Sequence, residues 1–199
     1  MGWVGRTSMM VLRGFSFLLL VSHCFFLIIL SSQLSAQQSN LYRNKTHAFQ
    51  ITFPEGWIQK PGITPHTVVK AENSEGYSIV IQAWNLPEDI SFENATENEL
   101  LILTKVIFED FRLKFPGAVM QNWGSTFISN QKGIWLLIKY TYRVPFSEID
   151  IKTLLFAVPK NSKWYQILSG GPENKFNRFE SDILKSVRSF LFEDPVWYR

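Results

Sequence analysis

Cysteine is nearly missing from this sequence: of 199 residues only Cys24 is one, and it lies inside an apolar run. The remainder of the chain therefore has no disulfide framework, no thiol nucleophile and no cysteine zinc site. Histidine is scarce as well, with His47 and His66 the two beyond that run. No G-x-S-x-G nucleophile elbow, H-E-x-x-H zinc helix or phosphate-binding glycine loop with its lysine occurs anywhere in the chain, so no motif points to a hydrolase, a metal centre or a nucleotide site. A basic surplus is also lacking once the front of the chain is set aside. Taking Arg6 and Arg13 from the 20 basic residues leaves 18 against 17 acidic ones, a net charge of +1. Nucleic-acid binding needs basic residues in excess and clustered on one face, and is not expected.

What is present at the front is an ordered sequence of charge, apolar run and small polar residues. Arg6 and Arg13 occur with no acidic residue beside them, residues 15–30 are almost wholly apolar, and residues 31–38 turn small and polar. That is the pattern of an export signal. Cleavage after Ala36 places Leu34 and Ala36 at the two positions a signal peptidase reads and starts the mature chain at Gln37. The alternative is an uncleaved N-terminal anchor, the one route by which this chain would contact a membrane; the run falls short of the roughly 20 residues that span a bilayer comfortably. Either way the folded part lies across the membrane, in a periplasmic or extracellular location. Lipidation of Cys24 is not expected, because His23 precedes it and residues 25–30 continue the apolar run.

The expected organisation is a signal peptide over residues 1–36, a polar linker over 37–46, one domain over 47–192 and a tail over 193–199. Phe49, Ile51 and Phe53 alternate with Gln50 and Thr52, the period of a half-buried strand. Residues 67–71 and 77–84 make two further strands, and the three are expected to form a meander. Thr96 and Glu99 have capping-box spacing, and Leu100, Leu103, Ile107, Phe108, Phe111 and Phe115 then fall on one face of a helix that Pro116-Gly117 ends. Strands over 119–128 and 134–144 flank a loop at 129–133, and strands over 151–158 and 164–168 flank another at 159–163. Residues 134–138 and 154–158 are apolar at every position, which requires cover on both sheet faces. Gly171-Pro172 predicts the start of a last helix carrying Phe176, Phe179, Ile183, Val187 and Phe190 on one face. The fold class is α+β: an antiparallel sheet of about seven strands sandwiched between helices, an α/β/α sandwich.

Two stretches carry a resemblance. His47-Ala48-Phe49-Gln50-Ile51-Thr52-Phe53-Pro54-Glu55-Gly56-Trp57 resembles the aromatic, strand, proline, tryptophan entry of PsbP-like domains, and Ile183-Leu184-Lys185-Ser186-Val187-Arg188-Ser189-Phe190 resembles their closing helix and Ser-Phe ending. The likeness spans about residues 45–192. It implies an α/β/α sandwich used as a non-enzymatic binding or accessory module with a protein partner and no cofactor. The leader lacks the long Ser- and Arg-rich front and twin-arginine pair of a thylakoid transit peptide, which fits an exported relative outside photosynthesis.

Among candidate sites, His47 and His66 have Glu72 and Glu75 within reach of a shared metal only if the first strands bring them together; ordinary surface or turn histidines are the simpler reading. Glu88-Asp89 and Glu148-Ile149-Asp150 place carboxylates close together but lack a calcium-loop glycine, and read as solvated loop charge. Trp57, Trp135 and Trp164 fit core packing. Trp84 and Trp123 sit at strand ends beside polar residues, and Trp197-Tyr198 follows Pro195 in the tail; these four are the candidate partner-binding residues, since aromatics in such places anchor partners. Asn44 and Asn94 head glycosylation acceptor patterns. The expected function is an exported non-catalytic accessory domain acting on a protein complex outside the cytoplasmic membrane. The alternative is a secreted hydrolase or sugar-binding protein whose site is built from loop carboxylates and aromatics.

Overall fold

In the computed structural model the described residues are 40–193, apart from residue 63 and residues 87–90. The expected signal peptide, the first part of the linker, Glu88-Asp89 and Trp197-Tyr198 lie outside them. The described residues form ten strands, two α-helices and one short 3-10 turn. Seven strands make one antiparallel sheet in the order β3 (Ile58–Pro61), β4 (Thr67–Glu72), β5 (Ser78–Asn85), β9 (Lys163–Pro172), β8 (Ser147–Lys160), β7 (Gln131–Val144), β6 (Val119–Ile128). A smaller antiparallel sheet has the order β1 (Leu41–Asn44), β2 (Phe49–Thr52), β10 (Leu191–Phe192).

The α+β sandwich is therefore present, with three strands that the sequence reading lacked, β1, β3 and β10, and one strand moved to the smaller sheet. Residues 41–44, read from sequence as linker, are strand β1. The alternating Phe49-Gln50-Ile51-Thr52 segment is a strand, but it does not open the meander: it pairs with β1 and β10, and the meander is β3-β4-β5. Phe49 and Ile51 are fully buried on the inner side of this small sheet, so the period predicted their inward face correctly while leaving their partners open.

The doubly apolar strands explain the two cores. Along β8, Leu154, Phe156 and Val158 point into one core and Leu155 and Ala157 into the other; along β7, Ile134, Leu136 and Ile138 join Leu155 and Ala157. Helix α1 (Glu97–Lys114) covers the second core through Leu100, Ile107 and Phe111, while α2 (Phe176–Arg188) covers the first through Phe176, Phe179, Ile183 and Val187. Both helix faces are those the 3.6-residue period selects, except that α2 ends at Arg188 and Phe190, expected on its face, is buried just beyond it. At the start of α1 the Thr96 hydroxyl accepts from the Glu99 backbone N–H at 3.3 Å, and the Glu99 carboxylate accepts from the Thr96 N–H at 2.7 Å. That reciprocal pair satisfies two otherwise unpaired donors and holds the Glu99 carboxyl below its ordinary pKa, the backbone hydrogen bond from Thr96 being the larger cause.

The second helix starts later than the glycine-proline pair suggested. Strand β9 runs through Gly170, Gly171 and Pro172, a 3-10 turn follows at Glu173–Lys175, and α2 begins at Phe176. Gly171 serves close approach: a Cβ there would lie 2.5 Å from the ring of the fully buried Tyr77. Both predicted five-residue loops shrink to two-residue turns, Ser129-Asn130 and Asn161-Ser162, each with positive φ at both residues. Turns of that hand match the twist of the strands they join. Among the described residues no helix is long and apolar enough to cross a membrane.

Candidate functional site

The strand order sets β6 at one end of the seven-stranded sheet, with one side paired to β7 and the other unpaired. Its sequence, VMQNWGSTFI, contains no charged residue and no proline, the usual means by which an exposed strand edge is kept from pairing with another chain. A register shift between Met120 and Asn122 bends it. Val119 and Phe127 are exposed, Phe127 at 73 %. Trp123 is half-buried, opposite Leu136 and packed against the core under α1, so its ring lines the base of this edge.

Two hollows meet at Phe127. The first, of about 400 Å³, lies between the end of β6 and the C-terminal half of α2; Trp135, Leu154, Phe156, Leu184 and Val187 form its apolar floor, and Glu180 and Arg188 stand on it from the helix. The second, of about 520 Å³, is more polar and takes in Phe92, Glu93, Asn130, Lys132 and Lys160. Lys132 is partly engaged, its ammonium donating to the Ala95 carbonyl at 2.8 Å. Both hollows are open clefts whose volumes fall in the range of small-molecule sites, and neither lining contains a histidine.

The sequence-derived candidates scatter. Trp84 is half-buried near the end of β5, opposite Trp164, and the exposed His66 stacks on it with ring centres 5.5 Å apart. His47 lies in the β1–β2 turn of the other sheet; its carbonyl accepts from the Tyr165 hydroxyl at 2.8 Å, and its Nδ1 is buried with no hydrogen-bond partner. Burial, with the Lys163 charge as a lesser cause, lowers the His47 pKa, which suits a neutral ring. Burial likewise pushes the Tyr165 phenol up to about 12. Glu72 is held by Lys60 and by Lys70 at 2.6 Å, and its carboxyl is drawn down to about 2 by hydrogen bonds from those two ammonium groups. Glu75 pairs with Lys175 at 3.0 Å and Arg178 at 3.4 Å. Among the described residues no group of three His, Cys, Asp or Glu is arranged to hold a metal ion. Glu148 pairs with Arg143 at 2.9 Å, and Asp150 accepts from the Thr141 hydroxyl at 2.8 Å, so both carboxylates belong to the β7–β8 hairpin.

Sequence reasoning missed Phe127, whose place in a strand pattern gave no sign that the strand would be an edge. It also missed the β7–β8 hairpin tip, although Pro145-Phe146 between two apolar strands was a readable turn signal.

No family model and no curated protein matches the sequence. Solved structures do match it in shape. Cyanobacterial PsbP from Synechocystis aligns at a TM-score of 0.55 and 14% identity over 79% of this chain and 95% of that one. LpqN of Mycobacterium tuberculosis, described as involved in cell envelope biogenesis, aligns at 0.52 and 10% identity over 73% and 83%. At such identities the likeness concerns the fold. The seven-stranded antiparallel sheet with a helix on each face, joined by a small three-stranded sheet, is the PsbP-like fold.

Proposed function

We propose that this chain is an exported, non-catalytic accessory module that works on a protein complex outside the cytoplasmic membrane, and that it meets its partner along the β6 edge. The observation that carries this reading is the edge itself: ten residues without charge or proline, unpaired on one side, with Trp123 at its base and Phe127 exposed at its end. An edge of that kind offers main-chain hydrogen bonds to an extended partner segment, with neighbouring hollows to select its side chains. The leader pattern supports export, and the PsbP-like fold supports a module that binds. Trp84, with His66 stacked on it, and the Trp197-Tyr198 tail remain secondary partner contacts in this proposal. The test is affinity capture by the exported form from its native envelope fraction, run beside a variant with Val119→Lys and Ser125→Lys. Both positions are exposed, and lysines on an edge oppose strand addition. The reading requires a defined protein complex that is retained by the native chain and lost by the variant. Equal retention by both would remove the edge from the proposal; turnover of an ester, peptide or glycoside substrate by the purified chain would replace it with the hydrolase alternative.

A further inference from the structure

The β7–β8 hairpin outruns the sheet. Pairing of β7 with β6 stops at Lys139 and pairing of β8 with β9 stops at Ile151, so residues 141–150 pair only with each other. This arm has two unlike faces. On one, Thr141 bonds Asp150 and Arg143 bonds Glu148; on the other, Tyr142 lies opposite Ile149, both exposed. At the tip, the two-residue turn Pro145-Phe146 gives Phe146 a φ of +71° and leaves its side chain fully exposed. Proline followed by a positive-φ residue is a type II pattern, in which glycine is the favoured second residue. For folding alone glycine would serve better there, and no packing within the chain accounts for the Phe146 ring.

The hollow beneath α2 has room for an aromatic ring. It has an apolar floor, and Glu180 and Arg188 stand beside it without an ion pair among the described residues. The arm presents an aromatic tip backed by one base, Arg143, and one acid, Glu148, bonded to each other at 2.9 Å and both exposed enough to be shared with a second pair of charges. Trp135 of the hollow and Val144 at the base of the tip are nine residues apart on one strand, about 30 Å at strand rise, so the arm cannot fill the hollow of its own chain. We propose that the arm of one copy docks Phe146 in the hollow beneath α2 of a second copy, with Arg143 facing Glu180 and Glu148 facing Arg188, so that the chain self-associates head to tail. The contact leaves residues 119–124 of β6 uncovered and does not depend on the accessory role. A head-to-tail contact uses different surfaces on the two copies and therefore extends or closes into a ring. One hairpin tip covers less surface than a standard stable interface, so the association is weak.

The experiment is sedimentation velocity of the exported form over a concentration series reaching the high-micromolar range. The native chain gives a concentration-dependent distribution beyond the monomer. Phe146→Gly, which removes the ring and relieves the backbone, melts higher than the native chain and weakens association at least about thirtyfold, the loss of a hot-spot side chain. Arg188→Glu, an exposed change that should not disturb folding, also weakens association. Leu184→Gln, which spoils the floor, sediments as a monomer while still melting cooperatively. Mixing Phe146→Gly, which keeps its hollow, with Leu184→Gln, which keeps its arm, yields one-to-one dimers that do not grow. The proposal is overturned by a native chain that stays monomeric throughout, by undiminished association of Phe146→Gly, or by two monomeric variants that stay monomeric when mixed. Loss of capture of a different protein by Phe146→Gly, with a monomeric native chain, would assign the arm to that protein instead.

Discussion

Phe111→Ala tests the layer that α1 forms with the sheet. Phe111 is 5% exposed, its ring lying 4.8 Å from that of Phe115 and edge-on to Tyr140 at 5.4 Å. Truncation removes the burial of one large aromatic and leaves a cavity that the paired strands beneath α1 cannot close, so the cost is about 3–5 kcal/mol. For a domain of this size about 2–4 °C of melting temperature is lost per kcal/mol, which places the shift at about 6–20 °C. The assay is thermal and urea unfolding followed by far-ultraviolet circular dichroism. The urea midpoint should fall with little change of slope, since slope reports the area exposed on unfolding. Leu113→Ala, two residues along the same helix and 82% exposed, should move stability by no more than about 0.5 kcal/mol. Equal shifts for the two substitutions, or a loss below about 1 kcal/mol for Phe111→Ala, would refute the assignment of this helix face to the core.

Further outcomes follow from the ion pairs, the strand glycine and the leader. Because hydrogen bonds from Lys60 and Lys70 hold the folded-state pKa of Glu72 near 2, its contribution to stability is full above the unfolded carboxylate range and declines as pH falls toward 2; Glu72→Gln should flatten that acid limb in urea melts taken across it. Gly171→Ala forces a Cβ to within 2.5 Å of the Tyr77 ring and should destabilise by about 1–3 kcal/mol, whereas an unchanged melting temperature would mean the Tyr77 ring can give way without cost. Sequencing the N-terminus of the exported protein should find Gln37 or a residue close to it, and an intact leader in the membrane fraction would favour the anchor.

Features set by neighbours along the chain were legible from the sequence. The capping box of Thr96 and Glu99, the apolar stripe from Leu100 to Phe115 and the alternation of Phe49, Ile51 and Phe53 all depend on residues within a few positions of each other, and the structure contains each. The doubly apolar runs in β7 and β8 carried longer-range information, because a strand greasy on both faces requires cover on both; α1 and α2 supply it. Strand order was a different matter. Nothing near Phe49 says that its partners are residues 41–44 and 191–192, the latter more than 140 positions away, since any strand of matching pattern satisfies the same backbone groups. Gly171-Pro172 read locally as a helix start because only the ring of Tyr77, set beside Gly171 just ahead of β5, shows that this position needs the absence of a side chain. The same limit hid the edge. The uncharged run of β6 would be unremarkable in the middle of a sheet, and only the tertiary arrangement, by ending the strand order there, turns Trp123 and Phe127 into a surface another chain can meet.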